Sequence, residues 1–209
     1  MDIRSRGPSS DAGRDRGSPR FWEDPTRVTR YVPTPIVVVR KMLELADAGA
    51  DDVVFDLGCG DGRILLTAVE EFGVKKAVGF ELDPALCESA RGELESRGLK
   101  GRVEVVNGDL FHADLSPATL VTLYLTTLVN ERLRPKLEDE LQEGARVVSH
   151  DFPIKSWETA KCDRPSHYAI GLRRIYLYRV PEAYRRAKQG PEIHGAKSWW
   201  SRALKALRA

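Results

Sequence analysis

Asp56-Leu57-Gly58-Cys59-Gly60-Asp61-Gly62 is the stretch whose reading decides the fold. Before it, Asp52-Val53-Val54-Phe55 reads as a short buried strand. After it, Ile64, Leu65, Ala68, Val69 and Phe72 recur at helical spacing from Arg63 onward. A glycine-rich turn therefore joins a strand to a helix. Gly58, Gly60 and Gly62 let the backbone take positive φ and let a ligand approach main-chain atoms. Many nucleotide binders share that much. The carboxylate at the strand end narrows the field, because a diphosphate seated over such a turn would be repelled by Asp56. A ligand with a cationic amino group and no phosphate suits it better, and S-adenosylmethionine is one.

Further along, Lys76-Ala77-Val78-Gly79-Phe80 reads as a second strand ending in Glu81, 25 residues after Asp56. At the tip of a neighbouring parallel strand, such a carboxylate faces ribose hydroxyls; the alternative is an exposed strand-end charge. Asp83 and Pro84 open a helix with Leu86, Ala90 and Leu94 on one stripe, and Gly98 ends it. A third strand over 102–106 leads into Asn107-Gly108-Asp109-Leu110. There Asp109 can accept from an adenine amino group with Leu110 against the ring, or serve as plain turn chemistry.

Upstream, Tyr31-Val32-Pro33-Thr34-Pro35 predicts a helix capped by Thr34, starting at Pro35, running to about Ala48 and burying Ile36, Val39, Leu43 and Ala46. Tyr31 and Thr34 either lead into that helix or close over the ligand. Downstream, Leu120 to Leu125 reads as a fourth strand. Asn130 then caps a helix carrying Leu133, Leu137 and Leu141, with Pro135 in its first turns and Gly144 as its stop. Arg146 to Ser149 is a fifth strand leading into His150-Asp151-Phe152-Pro153. Residues 168–180 read as a hairpin turning near Leu172-Arg173. The expected fold is α/β: a doubly wound, Rossmann-like, seven-stranded sheet with a final antiparallel hairpin.

With 209 residues, 42% hydrophobic and 31% charged, the chain can bury a real core as one domain with appendages. Residues 1–24 are expected to be a disordered basic segment, 25–180 the ligand-binding domain, and 181–209 a basic extension that is helical near its end. Order is expected to begin near Phe21-Trp22. A formal net charge of +2 gives no chain-wide nucleic-acid signal, and stable nucleic-acid binding is not expected. Cys59, Cys87 and Cys162 lack metal-ligand spacing and suit a reducing compartment. The four scattered histidines read as no metal site. No apolar run reaches membrane-span length. Arginines and serines near the start suit a transit peptide, but Asp2, Asp11 and Asp15 count against one, so a cytoplasmic location is expected.

Taken together, residues 27–180 resemble a class I, seven-strand S-adenosylmethionine-dependent methyltransferase. Four stretches are similar to the small archaeal protein-lysine methyltransferases and the mitochondrial enzymes that methylate a lysine of the ATP-synthase c-subunit. These are Tyr31-Val32-Pro33-Thr34-Pro35, Asp56 to Ile64, Thr127 to Leu137 with Asn130, Glu131, Pro135 and Lys136, and Val147 to Phe152. The resemblance implies that Asp56, Gly58, Gly60 and Gly62 hold the methionine end of S-adenosylmethionine. It implies Glu81 for the ribose, Asp109 with Leu110 for the adenine, and Tyr31 and Thr34 for a lid. Thr126, Thr127, Asn130 and Asp151, with His150 and Phe152, are implied at the acceptor channel, and Asp151 or His150 could take the proton. The implied enzyme is a monomer acting on lysines of a protein. The alternatives are a methyltransferase for RNA or a small molecule, which the basic ends support, and a cofactor-binding module without turnover. The position after strand four reads Leu125-Thr126-Thr127-Leu128, without the Asn-Pro-Pro-Tyr clamp common where nucleobase amines are methylated, which lowers the RNA reading.

Overall fold

Seven strands share one sheet, every pairing parallel except those made by a single strand. The coordinates are a computed structural model that describes residues 31–161 and 165–189. The expected disordered segment 1–24, the ordered start at Phe21-Trp22, Cys162 and the helix expected near the end of the basic extension lie outside the described residues. In chain order the elements are α1 (Ile36–Leu45), β1 (Val53–Leu57), α2 (Arg63–Glu70), β2 (Lys76–Glu81), α3 (Pro84–Ser96) and β3 (Val103–Asn107). Then follow β4 (Leu120–Leu123), α4 (Thr127–Glu140), β5 (Arg146–His150), β6 (Tyr168–Ile170), β7 (Arg173–Arg179) and α5 (Glu182–Gln189). The strand order is β3-β2-β1-β4-β5-β7-β6 with β7 antiparallel to both neighbours, the expected doubly wound sheet with its closing hairpin.

Strand alternation divides the core into two layers. Val54, Ala77, Val103, Val105, Leu120, Val148, Ile175 and Leu177 face α1, α2 and α3. Phe55, Leu57, Val78, Val121, Leu123, Val147, Tyr176 and Tyr178 face α4 and α5. Helices thus cover both faces of the central parallel strands, which is why β1 and β4 are buried along nearly their whole length, Asp56 and Thr122 included. The sheet reverses direction of travel between β1 and β4, so a crevice opens above the C-terminal ends of those two strands. At the opposite edge, Arg146 pairs with the buried Asp52 and donates to the Ala46 and Asp47 carbonyls, tying the end of α1 to the bottom of β5.

Several local expectations are corrected. Thr34 does not cap α1: the position before the helix is Pro35, and no side chain caps it. The helix stops at Leu45, and Ile36 is on its exposed side while Val38, Val39, Met42 and Leu43 are buried. β4 ends at Leu123, leaving Tyr124 and Leu125 on the crevice rim. Asn130 is not the cap of α4. Thr126 is, accepting from the Val129 N–H at 3.3 Å, and Asn130 lies inside the helix, fully buried. Pro135 sits at the ninth position of α4 rather than in its first turns.

Candidate active site

The crevice holds a cavity of about 790 Å³, a size suited to a nucleoside-sized ligand. Its floor is the glycine turn. Gly58, Gly60 and Gly62 have φ of +90°, +54° and +78°, which side-chain-bearing residues rarely adopt. Gly79 serves the same turn differently: a Cβ there would lie 2.6 Å from Cys59 Sγ, so its absence lets β2 press against the loop.

Asp56 lines this floor and is 2% exposed. Its Oδ1 accepts from Thr122 Oγ1 at 2.7 Å, and its Oδ2 has no hydrogen-bond partner. Burial pushes its pKa up to about 7. The Thr122 hydroxyl opposes that shift, while the nearby Glu81 and Asp61 charges add to it. A buried carboxylate with one oxygen unsatisfied beside a cavity is a receptor for a cation.

Glu81, at the tip of β2, also lines the cavity. Its Oε2 accepts from the Gly60 N–H and its Oε1 from the Asp83 N–H, both at 3.0 Å, so the carboxylate is held toward the turn with lone pairs remaining. Gly108 and Leu110 line the far side. Asp109 lies between them, two residues beyond β3, and is not itself a lining residue. One of its oxygens accepts from the Phe111 N–H at 2.9 Å, and the other approaches His112 Nδ1 at 3.6 Å.

Residues 31–34 form the roof. The Tyr31 ring covers Gly60 so closely that a Cβ there would meet it at 2.5 Å. Burial and Asp61 raise the Tyr31 pKa. Thr34 is 3% exposed; its carbonyl accepts from Arg63 Nη1 at 3.1 Å, and its hydroxyl meets His150 Nδ1 at 3.3 Å. Arg63 also grips Asp61 through Nε and Nη2, the shortest contact being 2.6 Å. Burial alone would raise the Asp61 pKa, but these bonds outweigh it and hold the carboxyl low.

The remaining wall is the edge of β4 and β5. Tyr124 lines the cavity and stacks on His150, with ring centroids 3.9 Å apart, and beyond it lies Phe152 at 6.2 Å. His150 is fully buried, and burial takes its pKa down to about 4, with Arg173 pushing the same way and Asp151 opposing. Asp151 has φ +58° and turns the chain sharply, the Phe152 N–H donating to the His150 carbonyl at 2.7 Å. Both Asp151 oxygens are engaged, one by the Arg174 N–H and the other by Arg173 Nη1, each at 2.8 Å. These contacts outweigh the effect of burial and keep its pKa low. Asn130 donates to the Phe152 carbonyl at 2.9 Å, and its Oδ1 is buried without a partner.

Of the residues proposed from sequence, Tyr31, Thr34, Asp56, Gly58, Gly60, Glu81 and Leu110 line one cavity. Gly62 lies just outside it as the left-handed residue before α2. Thr126, Thr127, Asn130 and Asp151 are not among its lining residues. The sequence reading assigned no role to Arg63 or Tyr124. Arg63 had a signal, lying two residues after Asp61 at the start of a helix. Tyr124 had only its place near the end of the expected fourth strand.

This strand order, with an unpartnered carboxylate over a glycine turn and a second carboxylate on the next strand, defines a methyltransferase of the seven-strand class. The model of the ANTKMT methyltransferase domain matches residues 56–161, and the chain belongs to that family. It is 48% identical over 152 residues to a protein-lysine N-methyltransferase of Saccharolobus islandicus (strain REY15A), spanning 73% of this chain and 94% of that one. It is 36% identical to the adenine nucleotide translocase lysine N-methyltransferase of Mus musculus, covering 67% of this chain and 61% of that protein. Among solved structures it is similar to one described as an RNA methyltransferase from Salinibacter ruber in complex with S-adenosyl-L-homocysteine. That match has 44% identity and a TM-score of 0.68, over 72% of this chain and 95% of the other.

Proposed function

We propose that this chain is an S-adenosylmethionine-dependent protein-lysine N-methyltransferase. For the donor, the carrying observation is the unpartnered, buried Asp56 Oδ2 above the glycine turn. It fits the cationic amino group of the methionine end. Keeping that carboxylate ionised costs the free protein on the order of 4 kcal/mol relative to water, given a shift from 3.8 to about 7, and a cation at Oδ2 offsets the cost. Main-chain groups of Gly58, Gly60 and Gly62 would surround the same end, Glu81 would accept from the ribose hydroxyls, and Asp109 and Leu110 would meet the adenine. Tyr31, Thr34 and Arg63 would close the roof. When bound, the cofactor supplies a methyl group on a sulfonium, which passes to the acceptor nitrogen as the carbon–sulfur bond electrons return to sulfur.

For the acceptor, support comes from the relative matched over nearly its whole length. A lysine has an ordinary pKa of about 10.4 and must arrive without its proton. Tyr124, Leu125 and Phe152 offer apolar surface beside the cavity, and desolvation there favours the neutral amine. His150, neutral at physiological pH, adds no charge to repel it. Thr126, Thr127, Asn130 and Asp151 shape this wall in our reading, and Asp151, already bound to Arg173 and the Arg174 N–H, holds a turn rather than acting as proton acceptor. Cytoplasmic location and a monomeric state belong to the same proposal; the buried free thiols Cys59 and Cys87 suit a reducing compartment. Among the described residues, no helix is long and apolar enough to cross a membrane, and no cluster of metal-binding side chains occurs.

The second reading, methylation of RNA, is favoured by the description of the Salinibacter ruber structure. Transfer of labelled methyl groups into a cell extract separates the two. Label that resists ribonuclease and is recovered as methyl-lysine after hydrolysis supports the proposal; label lost to ribonuclease overturns it in favour of RNA.

A further inference from the structure

We infer that Thr34 is a two-sided clasp through which His150, a residue outside the cofactor cavity, controls how tightly the cofactor is held. The inference rests on S-adenosylmethionine being the donor and is independent of the acceptor. Thr34 is a nearly buried polar residue in a roof whose neighbours Tyr31, Val32 and Pro33 are exposed. It does no capping work for α1. Instead its two polar groups reach opposite sides of the crevice. The carbonyl accepts from Arg63, which follows the glycine turn, and the hydroxyl bonds His150, 116 residues away at the end of β5.

The tautomer of His150 sets the direction of that second bond. Nε2 lies 3.4 Å from Asp151 Oδ2, without hydrogen-bond alignment. A proton on Nε2 is favourable against that carboxylate, whereas a lone pair there would be repelled. Nδ1 is therefore the acceptor and Thr34 Oγ1–H the donor. Tyr124, stacked on the imidazole, fixes the ring plane, and Asp151 is itself fixed by Arg173. His150 is thus a positioning residue: it holds the roof shut from the acceptor side, while Arg63 and the Tyr31 ring over Gly60 hold it from the donor side.

The test is calorimetric titration of the intact protein with S-adenosylmethionine, with no acceptor present. Thr34→Val removes the hydroxyl at nearly constant volume, and His150→Phe keeps the ring stacked while removing Nδ1. Each is expected to weaken cofactor affinity by about fivefold to tenfold, the scale of one buried hydrogen bond. The double variant should be no weaker than the weaker-binding single variant. Thr34→Ser, and His150→Asn with its oxygen near the place of Nδ1, should restore affinity to within about twofold of wild type. Melting curves on every variant establish that it is folded. The clasp is overturned if folded His150→Phe binds as wild type does, if the two single effects add, or if Thr34→Ser binds no better than Thr34→Val. Failure of the wild-type protein to bind at all would instead overturn the donor assignment.

Discussion

The two sides of the crevice turn different groups toward the cavity, carboxylates on one and apolar side chains on the other. On the β1–β3 side, Asp56 keeps an oxygen without a partner, and Glu81 spends one contact per oxygen on main-chain N–H groups, with lone pairs to spare. On the β4–β7 side, the Thr126 hydroxyl caps α4, and Asp151 is bound by Arg173 and the Arg174 N–H. The Asn130 amide there holds the Phe152 carbonyl. What that side presents to the cavity is Tyr124 and Leu125. The first side is built as a receptor for a charged ligand. The second ties most of its polar groups to its own chain and meets an acceptor through shape and desolvation. Its unpartnered buried atoms Asn130 Oδ1 and His150 Nε2 belong to residues outside the cavity lining.

That contrast can be broken by substitution. The largest expected effect is from Asp56→Ala, which should weaken S-adenosylmethionine binding by more than about 100-fold in a calorimetric titration, because a buried charge pair is lost. Its counterpart, Asn130→Ala, should leave cofactor affinity within about twofold and lower folding stability by about 1–3 kcal/mol in urea denaturation, since a buried bond is broken. Equal losses of cofactor affinity in the two variants would abolish the distinction. Next comes Gly60→Ala, at a φ of +54° beneath the Tyr31 ring. About tenfold weaker cofactor binding is expected, from backbone strain together with a displaced roof. Smallest for the ligand and visible mainly in stability is Gly79→Ala. Its Cβ would crowd Cys59 and Leu65, lowering stability by about 1–3 kcal/mol in the same denaturation measurement.

The same contrast explains what the sequence made legible. Asp56 and Glu81 could be read because each follows a short apolar run by a fixed rule of parallel sheets, and the glycines mark their own turn. The bonds of Asp56 and Glu81 are short in sequence or join neighbouring strands and the turn between them, as Thr122 to Asp56 and the Gly60 N–H to Glu81 do. The other side is made of contacts between distant segments. Thr34 read as a helix cap because a threonine before Pro35 has that local preference, yet the His150 imidazole takes the hydroxyl instead. Asn130 read as a cap for the same reason, but Thr126, four residues earlier, takes that role, and Asn130 turns inward to the loop after β5. No periodicity signals that Arg173 will meet Asp151, because the register of β7 against β5 sets that meeting.

The most direct test of the receptor side is the pH dependence of S-adenosylmethionine binding. Asp56 carries a pKa of about 7 in the free protein, and the bound cation favours its ionised form. Affinity should therefore climb as pH rises from 5 through about 7. It should level off there and fall once the ligand's own amino group, ordinarily near 7.7–8.0, gives up its proton. For folding of the free protein the sign is opposite: the raised pKa favours stability at low pH, and that contribution is lost as pH rises from the unfolded value near 3.8 through about 7. In Asp56→Asn the rise in affinity between pH 5 and 7 should vanish. A wild-type affinity that is flat across that range, or an Asn variant that keeps the full rise, would contradict the assignment of Asp56 as the cofactor's cation receptor.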